Sequence, residues 1–210
     1  ARMIGAMDAI GLDGSKLDVI LMQHVKLVKD GQVVKMSKRT GKAIQLIDLL
    51  EEVPVDAARF LFNMYDANTQ MDFDLDLAVK EDSQNPVYYV QYAYARICSI
   101  LRKIESEGIK IRECSTEELL LLSSSEEKEL IRHLSEYTNE IISAAKAYEP
   151  SKINRYVITL ATLFHKFYNN CRVMCEDENL MQARLQLCIC VKTVIFNILS
   201  MFKISVLESM

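Results

Sequence analysis

From residue 85 to the end, apolar positions recur at helical spacing. Val87, Val90, Ile97, Leu101 and Ile104 make one seam behind Asn85-Pro86, an N-cap residue with proline at the first helical position. Ser115 is placed to cap a short helix through the following leucines. Ser125 opens another run to about Tyr148, and Glu149-Pro150-Ser151 punctuates it. The spacing then predicts a helix over about 151–174, with the seam Ile153, Val157, Leu160, Phe164, Phe167 and Cys171. The last segment, about 178–203, is apolar nearly all round, which predicts the central, most buried helix. Long helices joined by short connections make a bundle.

Before residue 84 the period differs. Residues 17–29 are rich in branched apolar side chains and partly alternate; Asp30-Gly31 and "QVV" follow. A DG pair between apolar runs predicts a β-hairpin, ending just before Lys35. Ile44, Leu46, Ile47, Leu49 and Leu50 fit a short helix closed by Pro54, and a second begins near Val55. The acidic stretch 66–84 is expected to mix loop with a short helix. The fold expected is mainly α: an α/β piece over 1–80, with a hairpin and short helices, followed by an all-α helical bundle over 84–210.

Composition supports this. Half of the 210 residues are apolar, and only six glycines and three prolines are present. No apolar run approaches the ~20 residues needed to cross a bilayer, and no signal pattern opens the chain, so a soluble, cytoplasmic monomer without membrane contact is expected. Six cysteines are read as reduced thiols with no metal site. Cys188 and Cys190 should point to different faces of a helix, and Cys171 and Cys175 to one. The net charge of −4 argues against indiscriminate nucleic-acid binding. Locally the sign reverses: from Ser151 to Cys175 stand Lys152, Arg155, Lys166 and Arg172 and no acid.

The densest chemistry lies in "VVKMSKRTGK". Lys35, Lys38 and Arg39 bring three cations, Ser37 and Thr40 two hydroxyls, and Gly41 a flexible backbone. That inventory suits a polyphosphate whose charge builds as a leaving group departs. A solvated basic loop has the same composition.

"KMSKR" at 35–39 resembles the KMSKS signature of class I aminoacyl-tRNA synthetases. With "VDAARF" (55–60), "DFDLDLA" (72–78) and "NPVYYVQYAYARICSILRK" (85–103), the chain resembles arginyl-tRNA synthetase of the bacterial type. The stretches 148–173 and 183–205 are similar to helices of that family's DALR anticodon-binding domain, and the ending "ESM" to its "ERM" terminus. Two positions depart: Tyr94 stands where the family usually has His, and Tyr65 where arginine is common.

The resemblance implies an arginine–tRNA ligase, which attaches arginine to its tRNA through arginyl-adenylate, using ATP with Mg2+. Lys35, Ser37 and Lys38 would be catalytic, and Lys35, Met36, Ser37, Lys38 and Arg39 would meet ATP. It also implies that residues 1–80 are the end of a Rossmann catalytic domain. His24, His133 and His165 are the chain's only histidines, and none has a HIGH-type context. The chain is therefore expected to be the C-terminal part of a longer enzyme, inactive alone.

For tRNA, single-stranded anticodon bases are read by aromatic stacking and polar edges. The candidates are Tyr89, Tyr92, His165, Lys166, Tyr168, Asn169 and Arg172 and, through the resemblance, Met210 at the chain end. Tyr168 lies four residues after Phe164, so core and RNA contact are both open to it; Tyr88 and Tyr89 have the alternative of packing a domain junction. The competing function is a non-catalytic helical RNA- or protein-interaction module derived from a synthetase. A long reading frame upstream of Ala1 would speak against it.

Overall fold

A computed structural model describes residues 2–34 and 45–210. The candidate ATP-contacting residues Lys35, Met36, Ser37, Lys38 and Arg39 lie outside the described residues.

The first part begins with α1 (Arg2–Ala9) and a 3-10 turn (Gly14–Lys16). The hairpin follows as β1 (Val25–Lys29) and β2 (Gln32–Val33). Asp30 (φ 53°) and Gly31 (φ 70°) both take the left-handed conformation of a two-residue hairpin turn and pair Lys29 with Gln32. The first hairpin arm is shorter than the sequence pattern suggested. Residues 17–24 form no strand, and Val19, Ile20, Leu21 and Met22 are exposed.

The short helices α2 (Leu46–Glu52) and α3 (Val55–Phe62) fall where expected. The acidic stretch corrects the reading, because it holds a third strand, β3 (Met71–Asp74), paired parallel with β1 before the short helix α4 (Leu75–Ala78). Met71 and Phe73 face inward and Asp72 and Asp74 outward. That is a two-residue alternation, but only four residues long and masked by acidic neighbours. Asp74 ends the strand and caps α4, accepting from the Leu77 amide at 3.0 Å.

The helical part opens at α5 (Pro86–Ser106). Asn85 caps it by accepting from the Val87 amide at 3.2 Å, and its side-chain amide donates to the Lys80 carbonyl at 2.9 Å. One buried side chain thus both starts the helix and ties down the connection before it. Helix α6 (Thr116–Leu119) carries the Ser115 cap, completed by Glu118 into a capping box. The run expected from Ser125 is two helices, α7 (Ser125–Ser135) and α8 (Tyr137–Ala147), broken at Glu136. Ser124, not Ser125, is the cap, because Glu127 stands three residues after it and closes the box. Tyr148 (φ 55°) ends α8 in the left-handed conformation.

Helices α9 (Pro150–Asn170) and α10 (Glu178–Met201) complete the bundle. The whole predicted α9 seam is buried. Helix α9 packs against α5, α7, α8 and α10, so the centre of the bundle is shared by α9 and α10 and not held by α10 alone. Helix α10 buries one face but exposes Cys190, Phe196 and Met201. By length and composition α10 is apolar enough to cross a bilayer, which corrects the expectation that no run approached that length. Its buried face packs on α5, α6, α7 and α9.

Cys188 is buried and Cys190 exposed, as their spacing required. Cys171 caps the end of α9, so Cys175 lies past the helix and not on its face. The buried apolar side chains form one cluster from Leu27 to Ile204, continuous through the α/β piece and the bundle. Within it the Asn154 amide of α9 donates to the Phe60 carbonyl of α3 at 2.8 Å.

Candidate nucleic-acid interface

Helices α5 and α9 lie side by side, and their aromatic residues meet. Tyr92 and Arg96 are one turn apart on α5. The Arg96 guanidinium sits 4.8 Å from the Tyr92 ring centre and 4.8 Å from that of Tyr168 on α9, and it donates to the Tyr92 hydroxyl. A planar cation between two tyrosine faces keeps both rings at fixed orientation. Tyr168 is part core and part surface: its ring lies 6.2 Å from Phe164 while 37% of the residue remains exposed.

Beside this stack is a cavity of about 350 Å³, lined by Tyr92, Arg96, Arg102, Lys103, Tyr168 and Met210. A second cavity of about 750 Å³ shares Ile100, Lys103 and Tyr168 with it and extends to Asn169, Arg172 and Met174. The two form a groove with Arg96, Arg102, Lys103 and Arg172 on its walls and Glu107 as the one acid among the lining residues. Tyrosine faces, cations and a carboxamide in one groove are what a single strand of nucleic acid requires: π-faces for bases and positive charge for phosphates.

The candidates inferred from sequence divide. Tyr92, Tyr168, Asn169, Arg172 and Met210 line the groove. Tyr89 is half-buried, its hydroxyl 3.4 Å from the Thr162 hydroxyl, and its ring is tilted 50° against His165 with ring centres 4.9 Å apart. His165 lies beneath the groove, 5.7 Å from the Tyr92 ring, with its Nε2 buried and without a hydrogen-bond partner. Burial, and then the Arg96 charge, push its pKa down, so it supports Tyr92 as a neutral ring. Lys166 is on the opposite flank of α9, where it pairs with Glu129 at 2.8 Å and that bond raises its pKa. Helical rotation explains this, since it lies two positions from Tyr168, a turn of about 200° that puts it on the far side of the helix. Tyr88 lines a different cavity, between α3, α4 and the chain end, as the junction alternative required.

Arg96, Arg102 and Lys103 were missed from sequence. The signal was present: between Pro86 and Ile104 there are three basic residues and no acid. The four tyrosines of the same stretch mask it.

The chain end completes the wall. After α10, Lys203 turns through a left-handed conformation (φ 56°) and Ile204 is buried. Ser209 and Met210 then reach the Tyr92–Tyr168 cavity.

Comparison with known proteins identifies the family. The family model for the DALR anticodon binding domain matches residues 90–210. The arginine–tRNA ligase of Caldanaerobacter subterraneus is 53% identical over 210 residues, covering 100% of this chain and 37% of that protein. The Ruminiclostridium cellulolyticum arginine–tRNA ligase is 51% identical with the same coverage. The chain therefore spans 37% of the length of these relatives. Among solved structures, one assigned as an arginyl-tRNA synthetase from Campylobacter jejuni superposes with a TM-score of 0.82 at 32% identity, covering 100% of this chain and 44% of that one. Arginyl-tRNA synthetase from Plasmodium falciparum superposes at 0.66 with 27% identity, over 79% of this chain and 28% of that one. The chain belongs to the DALR anticodon binding domain family and is similar to arginine–tRNA ligases over its whole length.

Proposed function

We propose that this chain binds the anticodon stem-loop of an arginine tRNA in the groove between α5 and α9. Unstacked bases lie against Tyr92 and Tyr168, with Asn169 and Met210 beside them. Arg96 holds the two tyrosines in place, and Arg102, Lys103 and Arg172 meet the backbone phosphates. The observation that carries this reading is the Arg96 guanidinium 4.8 Å from both tyrosine rings at the wall of a basic cavity. The family match over the same helices supports it.

In a protein of the relatives' length, the activity proposed is that of a cytoplasmic, monomeric arginine–tRNA ligase that joins arginine to tRNA with ATP. Lys35, Ser37 and Lys38, with Met36 and Arg39, are then the side of the active site that meets the ATP phosphates. Support for that role is the residue inventory of the loop and its likeness to the class I signature. ATP brings its phosphates with Mg2+, and the two lysines supply positive charge where the departing phosphates gather it.

A gel shift with the arginine-tRNA anticodon stem-loop tests the RNA reading. Binding should weaken as salt rises, and changing the central anticodon base should reduce it at least tenfold, the ordinary scale for a lost base contact. Equal affinity for both RNAs would remove specific recognition.

A further inference from the structure

Residues 203–206 form a strap anchored outside the groove. Arg59 of α3 donates to the Lys203 carbonyl, and Asp56 of α3 accepts from the Ser205 amide at 3.1 Å. Gln91 of α5 donates to the Ser205 carbonyl at 2.8 Å. Ile204 sits between these bonds with 4% of its surface exposed. Two of the three anchors are charged side chains on backbone groups, the stronger class of hydrogen bond.

Past Val206 the situation changes. Leu207, Ser209 and Met210 make no hydrogen bonds among the described residues. Leu207 and Met210 line the cavity against α3 and α4, and Ser209 and Met210 line the one beside Tyr92 and Tyr168. The outer wall of the groove is therefore built from side chains that hold no bonds of their own. Their place depends on where the strap releases the chain. An unordered wall must be ordered by the ligand, at the expense of affinity.

We infer that Asp56, Arg59 and Gln91 are positioning residues for the RNA groove, acting through the strap 203–206 to set Met210 against Tyr92 and Tyr168. Neither Asp56 nor Arg59 is among the residues lining the groove; both belong to α3, which packs against α5. The inference rests on the RNA reading above and adds to it that residues of the α/β part shape a site in the bundle. Coupling of this kind is reciprocal, so RNA in the groove also favours the strapped arrangement of α3.

The test uses the 210-residue chain, a labelled arginine-tRNA anticodon stem-loop and fluorescence anisotropy, with thermal melting beside it. Arg59→Ala and Asp56→Ala should each weaken binding about fivefold or more, the low end of ordinary coupling between sites. Arg59→Lys, which keeps a donor, should recover part of the loss. A chain ending after Val206 should bind about as weakly, and in that chain Arg59→Ala should cost less than about twofold, because the wall it positions is gone. An equal loss from Arg59→Ala with and without residues 207–210 would overturn the inference and leave a general structural role. Unchanged affinity in Arg59→Ala and in the shortened chain, with loss in Tyr168→Ala, would also overturn it while the RNA reading stood. If Tyr168→Ala binds normally as well, the RNA reading itself falls.

Discussion

On the side of α9 that meets α7 and α8, the basic groups have acids beside them: Lys152 with Glu149 at 3.2 Å, Arg155 with Asp66 at 3.9 Å, Lys166 with Glu129 at 2.8 Å. The aromatic residues there are bonded too, His133 to the Tyr156 carbonyl at 3.0 Å and the Tyr156 hydroxyl to the His133 carbonyl at 2.9 Å. On the side that meets α5, Arg96 faces tyrosine rings, and Arg102, Lys103 and Arg172 have no ion-pair partner among the described residues. Both sides hold aromatics and cations in similar number. What separates them is whether the groups already satisfy one another. A satisfied set holds a fold together, and an unsatisfied set in a concavity is free to meet a ligand.

The largest effect should come from the satisfied side. The Glu127 carboxylate of α7, 1% exposed, accepts from Arg184 of α10 at 2.7 Å and from the Ser124 amide at 2.8 Å. Burial pushes its pKa up, but the Arg184 and Ser124 bonds together hold it below the usual value. Glu127→Ala leaves a partly buried guanidinium unpaired and should cost about 3 kcal/mol in urea unfolding, with RNA affinity nearly unchanged in the folded fraction. Because the folded-state pKa is depressed, this stabilisation is present above the unfolded value near 4.5 and is lost as pH falls below it. Glu127→Gln should flatten that acid limb.

Next in size is the contrast between Tyr168 and Lys166, two residues apart on one helix. Tyr168→Ala should weaken RNA binding roughly tenfold, from the ~1–3 kcal/mol of a lost stacking face. Lys166→Ala should change it by less than about twofold and lower stability by under ~1 kcal/mol, as expected for an exposed pair. Equal losses from both would erase the distinction between the two sides. The smallest effect separates phosphate contact from base contact. Arg102→Ala with Lys103→Ala should lower the slope of log affinity against log salt by about 1.4, at ~0.7 per phosphate contact on a single strand. An unchanged slope would leave the tyrosine stack without its proposed backbone rail.

Most of the helical architecture was legible in the sequence because its signals are local. Asn85-Pro86 and Ser115 with Glu118 start helices by bonds spanning two or three residues, and the α9 seam is a single long period. Long-range pairing was not legible. β3 exists because Leu27 and Phe73 are neighbours in a parallel ladder, and the four residues that make it carry two aspartates. That α9 and α10 share the centre follows from which helices surround each, which composition does not encode. The groove was half legible. Tyr92, Tyr168 and Asn169 stood out as residue types, whereas Arg96 became meaningful only once two helices brought the second tyrosine to it. Lys166 shows the reverse: its neighbours in sequence recommend it, and helical rotation carries it to the far flank beside Glu129.

The Asn154–Phe60 bond inside an unbroken apolar cluster bears on what kind of joint lies between the two parts. A hinge needs a seam that can open to water without exposing unbonded polar groups or apolar area. Here, opening would strip a partner from a buried amide and wet the apolar side chains beside it. The joint between bundle and sheet therefore carries a cost to opening that a hinge does not, and α3 is tied to α9 across it.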